Sequence, residues 1–282
     1  MTFSRRSRYL LRLGVGVTLA FIYIPLIVIA IYAFNGGTTL EWPPPSLTFH
    51  WFGKAVQNQG VRDAFVTSIK VGAVATTIAL VLGTLASLAV ARHRFFGRET
   101  ISFLVVLPIA LPGIVTGIAL SDMFTQVLGI SLSLFTVIVG HATFCIVVVY
   151  NNVIARLRRV SGSFEEASAD LGADTWQTFR FVTFPSMQTA LVAGGLLAFA
   201  LSFDEIIVTN FTIGAGQETL PIWIFSNLFR SHQLPIVNVV AVLAVLISII
   251  PVYLANRLTR EEGGATGRGG AAAVRAEASA AP

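Results

Sequence analysis

The sequence predicts an all-α membrane protein with six transmembrane helices, and three observations carry that reading. Apolar residues fill 55% of the 282 positions and only 12% are charged, whereas a soluble domain carries about 25% charged residues. Six apolar stretches of about 20 residues follow one another, each long enough to cross a ~30 Å hydrocarbon core. The basic residues gather at the ends of these stretches rather than inside them. A formal charge of +5 therefore speaks of membrane topology. No basic stripe interleaved with aromatics points to nucleic acid.

The first span, Leu13–Phe34, follows Arg5, Arg6, Arg8 and Arg12. Its apolar run exceeds the roughly 7–15 residues of a secretory signal, and no small-x-small cleavage site follows, so it is expected to stay as an anchor. The loop Asn35–Lys70 comes next. Trp42-Pro43-Pro44-Pro45 blocks regular structure there, and Trp51-Phe52 suits the headgroup zone. Val71–Ala91 is the second span. The third, Ile101–Ser121, is interrupted by Pro108, Pro112, Gly113 and Gly117. Proline removes a backbone hydrogen bond and permits a kink, which serves either gating or packing.

The fourth span, Leu134–Val153, contains His141 and the single cysteine, Cys145. One cysteine makes no internal disulfide. His141 reads as a helix–helix hydrogen bonder rather than a ligand, and no histidine has metal-ligand spacing. The fifth and sixth spans are Ala190–Phe211 and Ile236–Leu254. Residues 1–262 form one transmembrane domain on this reading. The Gly/Ala-rich tail, 263–282, is expected to be disordered.

Orientation follows from the Lys/Arg bias. With the N-terminus inside, 15 of the 19 basic residues fall on the cytoplasmic side, leaving Lys54, Arg62, Lys70 and Arg230 outside. Both termini are then cytoplasmic, and the loop 154–189 is the longest cytoplasmic feature before the tail.

That loop holds Ser163-Phe-Glu-Glu166 and Asp174-Thr-Trp-Gln177, two capping-box patterns, with Gly172 between them. The spacing predicts a short helix, a left-handed glycine stop and a second short helix, closed by Pro185 before the fifth span. Leu171, Trp176, Phe179, Phe181 and Phe184 are a heavy apolar content for a connector. They ask for a protein partner or for packing under the bundle.

Glu166-Ala167-Ser168-x-x-x-Gly172-x9-Val182-x-Phe184-Pro185 resembles the EAA loop of type I ABC importer permeases, E-A-A-x-x-x-G-x9-I-x-L-P. Glu166, Ala167, Gly172 and Pro185 match; Ser168, Val182 and Phe184 depart but keep size class and spacing. The resemblance implies the six-helix importer fold, a cytoplasmic ABC ATPase dimer as partner, and docking through Glu166, Ala167, Ser168, Gly172, Ala173 and Pro185. It also implies a second permease subunit, as a heterodimer, and an extracytoplasmic solute-binding protein, all in a bacterial inner membrane. Ser202-Phe203-Asp204-Glu205-Ile206-Ile207 and Gly214-x-Gly216-x-x-Thr219-Leu220-Pro221 resemble the second permease of spermidine/putrescine importers. The Asp-Glu pair departs from an Asp-Asp in some members.

A nucleotide-binding Gly-x-x-x-x-Gly-Lys-[Ser/Thr] is absent: the one Gly-Lys, Gly53-Lys54, has Thr48 and Ala55 at the other positions. No His-Glu-x-x-His and no Gly-x-Ser-x-Gly occurs. No catalytic residue, metal or cofactor is therefore expected. Asp204 and Glu205 are adjacent acids inside an expected span, where one central carboxylate costs roughly 2.5–3.5 kcal/mol. Asp204 falls about 21 Å along the fifth span, in its outer half. Either acid lines a cation path or meets a structural partner, and Asp204 is favoured for the path because adjacent helical residues diverge by about 100°.

The expected function is one half of an ATP-driven translocation pathway for polyamines. Another small organic solute, an amino-acid-like or phosphonate compound, is the alternative within the same machine. An ion-coupled secondary transporter or channel fits less well, because such proteins show paired broken helices and only one span is interrupted in the sequence.

Overall fold

The computed structural model of the chain describes the backbone of residues 5–39 and 41–279, with side chains for 6–39, 41–230 and 232–258. The expected disordered tail, 263–282, lies outside the residues described with side chains. Among the described residues the regular structure is helical, with one isolated antiparallel bridge, Asn35–Leu47. The elements are α1 (Arg5–Ala33), α2 (His50–Gln57), α3 (Gln59–Arg92), α4 (Arg98–Ala110), α5 (Gly113–Asp122) and α6 (Leu134–Leu157). They continue with α7 (Ser163–Asp170), α8 (Thr175–Thr178), α9 (Phe184–Phe203), α10 (Ile207–Thr212), α11 (Leu220–Asn227) and α12 (Leu234–Ser279). Five helical runs are long and apolar enough to cross a membrane, and a bent pair makes a sixth. The all-α membrane class follows.

The chain divides into two compact units. One comprises Met1–Asp63 and Trp223–Leu246. Here α1 leaves its apolar side chains exposed, Phe21 at 82%, as a lipid-facing or subunit-facing helix does. Beyond it the chain folds back through Thr48 N–H to Phe34 O (2.7 Å) and Gly36 N–H to Ser46 O (2.9 Å). Trp51 Nε1 donates to Asn35 O at 2.9 Å. The rings of Phe34, Phe49 and Phe52 cluster. The expected irregular loop Asn35–Lys70 is therefore half helical: α2 and the first turns of α3 occupy it, separated by the extended Asn58, because the prolines end at Pro45.

The second unit, Ala64–Ile222 with Ile247–Pro282, is built around α6 and α9. Its core holds Ala79, Phe144, Cys145, Val149, Val153, Leu157, Met187, Ala198 and Val208. Small residues let helices approach, as membrane packing requires. A Cβ on Gly83 would sit 3.0 Å from Ile146 O. Ser87 Oγ donates to Tyr150 O at 3.1 Å.

Two spans differ from expectation. The third is broken rather than kinked: α4 and α5 meet at 105°. Leu111 is extended (ψ 144°), the conformation a following proline imposes, and Pro112 caps α5. Pro108 stays inside α4 and Gly113 begins α5. The fifth span ends at Phe203 instead of running to Phe211, and α10 restarts at Ile207. A continuous helix would carry two adjacent carboxylates through lipid; breaking it lets Glu205 satisfy the new helix end instead. Two interrupted spans are thus present where the sequence showed one. Their second segments, α5 and α10, pack together, with Gly113 against Ile207 and Gly117 against Phe211.

Candidate functional site

The loop after α6 forms from local rules. α7 ends in a Schellman turn: Ala173 N–H reaches Ser168 O (3.1 Å) and Gly172 N–H reaches Ala169 O (2.9 Å). Gly172 has φ +86°, the left-handed region that favours glycine. Asp174 and Gln177 form the expected capping box, Gln177 N–H to Asp174 Oδ1 at 2.8 Å and Asp174 N–H to Gln177 Oε1 at 2.9 Å. The other box does not form. Gly162 is the N-cap of α7, its carbonyl accepts from the Glu165 and Glu166 N–H groups, and Ser163 pairs with Ser161.

The second helix is not separate from the fifth span. α8 passes through a π-turn, Phe179–Thr183, directly into α9, giving one helical run from Thr175 to Phe203. Pro185 therefore closes nothing. It sits in the first turn of α9, where its missing N–H is tolerated, and the π-turn upstream absorbs the changed bonding. Glu166 and Ala167 are exposed, Ser168 and Ala173 half-buried. Around them Phe164, Leu171 and Trp176 stand in solvent, Leu171 at 90% exposure. Packing under the bundle does not cover them.

One residue in this region escaped the sequence reading. Glu165 pairs with Arg92 at 3.0 Å and accepts from Thr183 Oγ1 at 2.9 Å. Its neighbour Glu166 held the motif position, and no spacing in the chain links Glu165 to a residue 73 positions earlier.

At the break in the fifth span, Asp204 and Glu205 take different roles. Glu205 Oε1 accepts the Val208 N–H at 2.9 Å and so caps α10. Asp204 lies just past α9, exposed, and accepts from Ser248 Oγ at 2.9 Å. Ser248 was also missed; its signal was a hydroxyl within an apolar run. His141, fully buried, spans the break, with Nδ1 2.7 Å from Ser202 Oγ and Nε2 2.7 Å from Thr209 Oγ1. Thr209 spends its proton on Glu205 O (2.9 Å), so it accepts from His141 Nε2–H, and Ser202 donates to Nδ1. The expected helix–helix bonder is in fact a staple across a discontinuity.

His141→Leu should lower the thermal unfolding midpoint of the detergent-solubilised chain, by a stability loss of about 1–2 kcal/mol. An unchanged midpoint would show that the staple contributes nothing.

Comparisons with known proteins bear on this geometry. Residues 79–260 match the family described as binding-protein-dependent transport system inner membrane component. The chain is 32% identical to the spermidine/putrescine transport system permease protein PotC of Haemophilus influenzae, over 90% of this chain and 98% of that protein. It is 31% identical to the putrescine transport system permease protein PotI of Escherichia coli, over 86% of this chain and 89% of that one. Its fold resembles a chain of the bacterial alginate ABC transporter solved with an alginate pentasaccharide-bound periplasmic protein: TM-score 0.68, 14% identity, coverage 90% and 93%.

Proposed function

The chain belongs to the family of binding-protein-dependent transport system inner membrane components, and on that premise we propose that it forms half of a polyamine translocation pathway. The observation that carries the machine is the loop 163–185. It presents exposed Phe164, Leu171 and Trp176 beside Glu166 and Ala167, a surface that asks for a protein partner. An ATPase dimer docks there, with Ser168, Gly172 and Ala173 shaping the docking turn and Pro185 opening the helix that carries it into the bundle. Both termini face the cytoplasm, as the basic residues favour. A second, different permease supplies the other half, lipid surrounds the pair, and a solute-binding protein delivers cargo from outside. ATP binding and hydrolysis rock the halves through the loop, while the breaks at Leu111–Pro112 and Asp204–Ile206 let short segments move.

The relatives named for spermidine and putrescine support the cargo, and Asp204 supports it physically as an exposed acid at a break in a span. Pro108, Pro112 and Gly113 serve gating on this reading, through the bend they create. Glu205, tied to α10, shapes the path instead of facing it.

The test is uptake into proteoliposomes holding the full assembly with internal ATP. Labelled putrescine or spermidine should accumulate, and an amino acid or aminophosphonate should not; the reverse pattern overturns the cargo. The purified chain alone should neither bind nor hydrolyse ATP, since Gly53-Lys54 lies on α2 without the phosphate-cradling loop. Saturable nucleotide binding by the chain alone would contradict this.

A further inference from the structure

α3 is a single helix ending at Arg92; besides the Ser87 bond to α6, it is fastened toward both ends. Toward its start, the buried Ser68 Oγ accepts the Leu220 N–H at 2.8 Å, in the segment that follows Gly214 and Gly216. Both glycines are required there. A Cβ on Gly214 would collide with Leu132 O, and Gly216 has φ +77°. At the far end, Arg92 Nε lies 3.1 Å and 3.0 Å from the two carboxylate oxygens of Glu165. From Ser68 to Arg92 the helix measures about 36 Å, slightly more than a hydrocarbon core.

Glu165 does more than pair with Arg92. Its carboxylate also accepts from Thr183 Oγ1, and Thr183 belongs to the π-turn that feeds α9. One acidic group thus joins α3, α7 and the α8–α9 run. The junction is partly withdrawn from water: the Arg92 and Glu165 side chains are 21% and 24% exposed, and Arg92 Nη2 is buried without a hydrogen-bond partner among the described residues. A charge so placed depends on its counter-ion, because removing one partner leaves the other desolvated. Ser168 also pairs with Thr178 at 3.0 Å, which ties α7 to the α8–α9 run but not to α3.

We propose that Arg92 and Glu165 are positioning residues that convert loop movement into movement of α3. With the pair intact, displacement of α7 pulls on the end of a rigid helix that is also held by Ser87 to α6 and by Ser68 to the Leu220 segment. Without it, α7 shifts against the π-turn and the motion is absorbed in the loop. The proposal rests on reading 163–185 as the ATPase-coupling loop.

The experiment uses the full assembly in proteoliposomes and measures solute imported per ATP hydrolysed. Arg92→Gln and Glu165→Gln should each lower that ratio at least threefold, with ATP turnover within twofold of the parent. The reversal Arg92→Glu with Glu165→Arg should recover at least half of the ratio, and Arg92→Lys should keep it. Parent-like ratios in the single variants would overturn the proposal. So would a parallel fall of uptake, turnover and assembly, which marks a merely structural pair, or single-variant losses that neither the reversal nor Arg92→Lys repairs. Gly172→Val separates the two levels. If it uncouples while Arg92→Gln does not, the clamp is wrong and the loop reading stands; if it leaves uptake unchanged, the loop reading itself fails.

Discussion

Gly172→Val should cut ATP-driven uptake roughly tenfold while leaving membrane abundance unchanged. The cause is conformational. Gly172 sits at φ +86° with nothing within 4 Å of where a Cβ would stand, so the Cβ itself meets no clash and the backbone carries the effect. A non-glycine residue in that region costs about 1–3 kcal/mol, most for a β-branched one. A penalty of one or two kcal/mol lowers the population of a local conformation by about 5–30-fold. The Schellman turn sets the angle between α7 and α8, and with it the relative placement of Leu171, Trp176 and Glu166. Gly172→Ala should therefore be milder than Gly172→Val, in an order set by backbone strain. The check is uptake and ATP turnover in vesicles, with abundance followed by quantitative blotting. Equal uptake by all three forms would show that the turn geometry is irrelevant to transport.

The membrane class was legible because composition and period act over whole spans. The Schellman turn and the Asp174–Gln177 box were legible for another reason: each is decided within six residues. Ser163–Glu166 had the same local credentials and failed. Gly162 took the cap position, and the competing bond from Ser161 satisfied the first N–H. Boundaries set by tertiary events stayed hidden. The adjacent acids Asp204 and Glu205 marked the place of the break in the fifth span, but the bonds of His141 to Ser202 and Thr209 across it come from another helix and have no local signature. The bend of 105° at Leu111–Pro112 was visible as a proline but not as a break. A proline sets the conformation before it, and the packing of Gly117 on Phe211 decides where the next helix goes. Glu165 to Arg92 illustrates the limit most plainly, since an ion pair between distant positions has no periodic signature.

Asp204→Asn should reduce polyamine uptake at least tenfold with normal abundance, assembly and loop geometry. The sequence placed Asp204 inside a helix; the structure places it just beyond one, where its carboxylate is exposed and accepts from Ser248 Oγ at 2.9 Å. Asparagine keeps a carbonyl oxygen that accepts from Ser248, so the variant isolates charge from hydrogen bonding. A polyamine bears at least two positive charges and sheds hydration on entering a narrow path, which a carboxylate offsets. The attraction between unit charges at 4 Å is about 1 kcal/mol in bulk water and about 4 kcal/mol at an effective dielectric near 20. Because Asp204 is exposed, the effect belongs below the upper figure, and about 1.4 kcal/mol already amounts to tenfold. Glu205→Gln provides the contrast. Its amide oxygen can still accept the Val208 N–H, so a residue that merely caps α10 should lose little uptake when its charge is removed. Uptake measured against polyamine concentration, for both variants and the parent, decides the matter. If Asp204→Asn transports at the parent rate, or if Glu205→Gln loses more, the carboxylate beside Ser248 is structural and the cation path runs elsewhere.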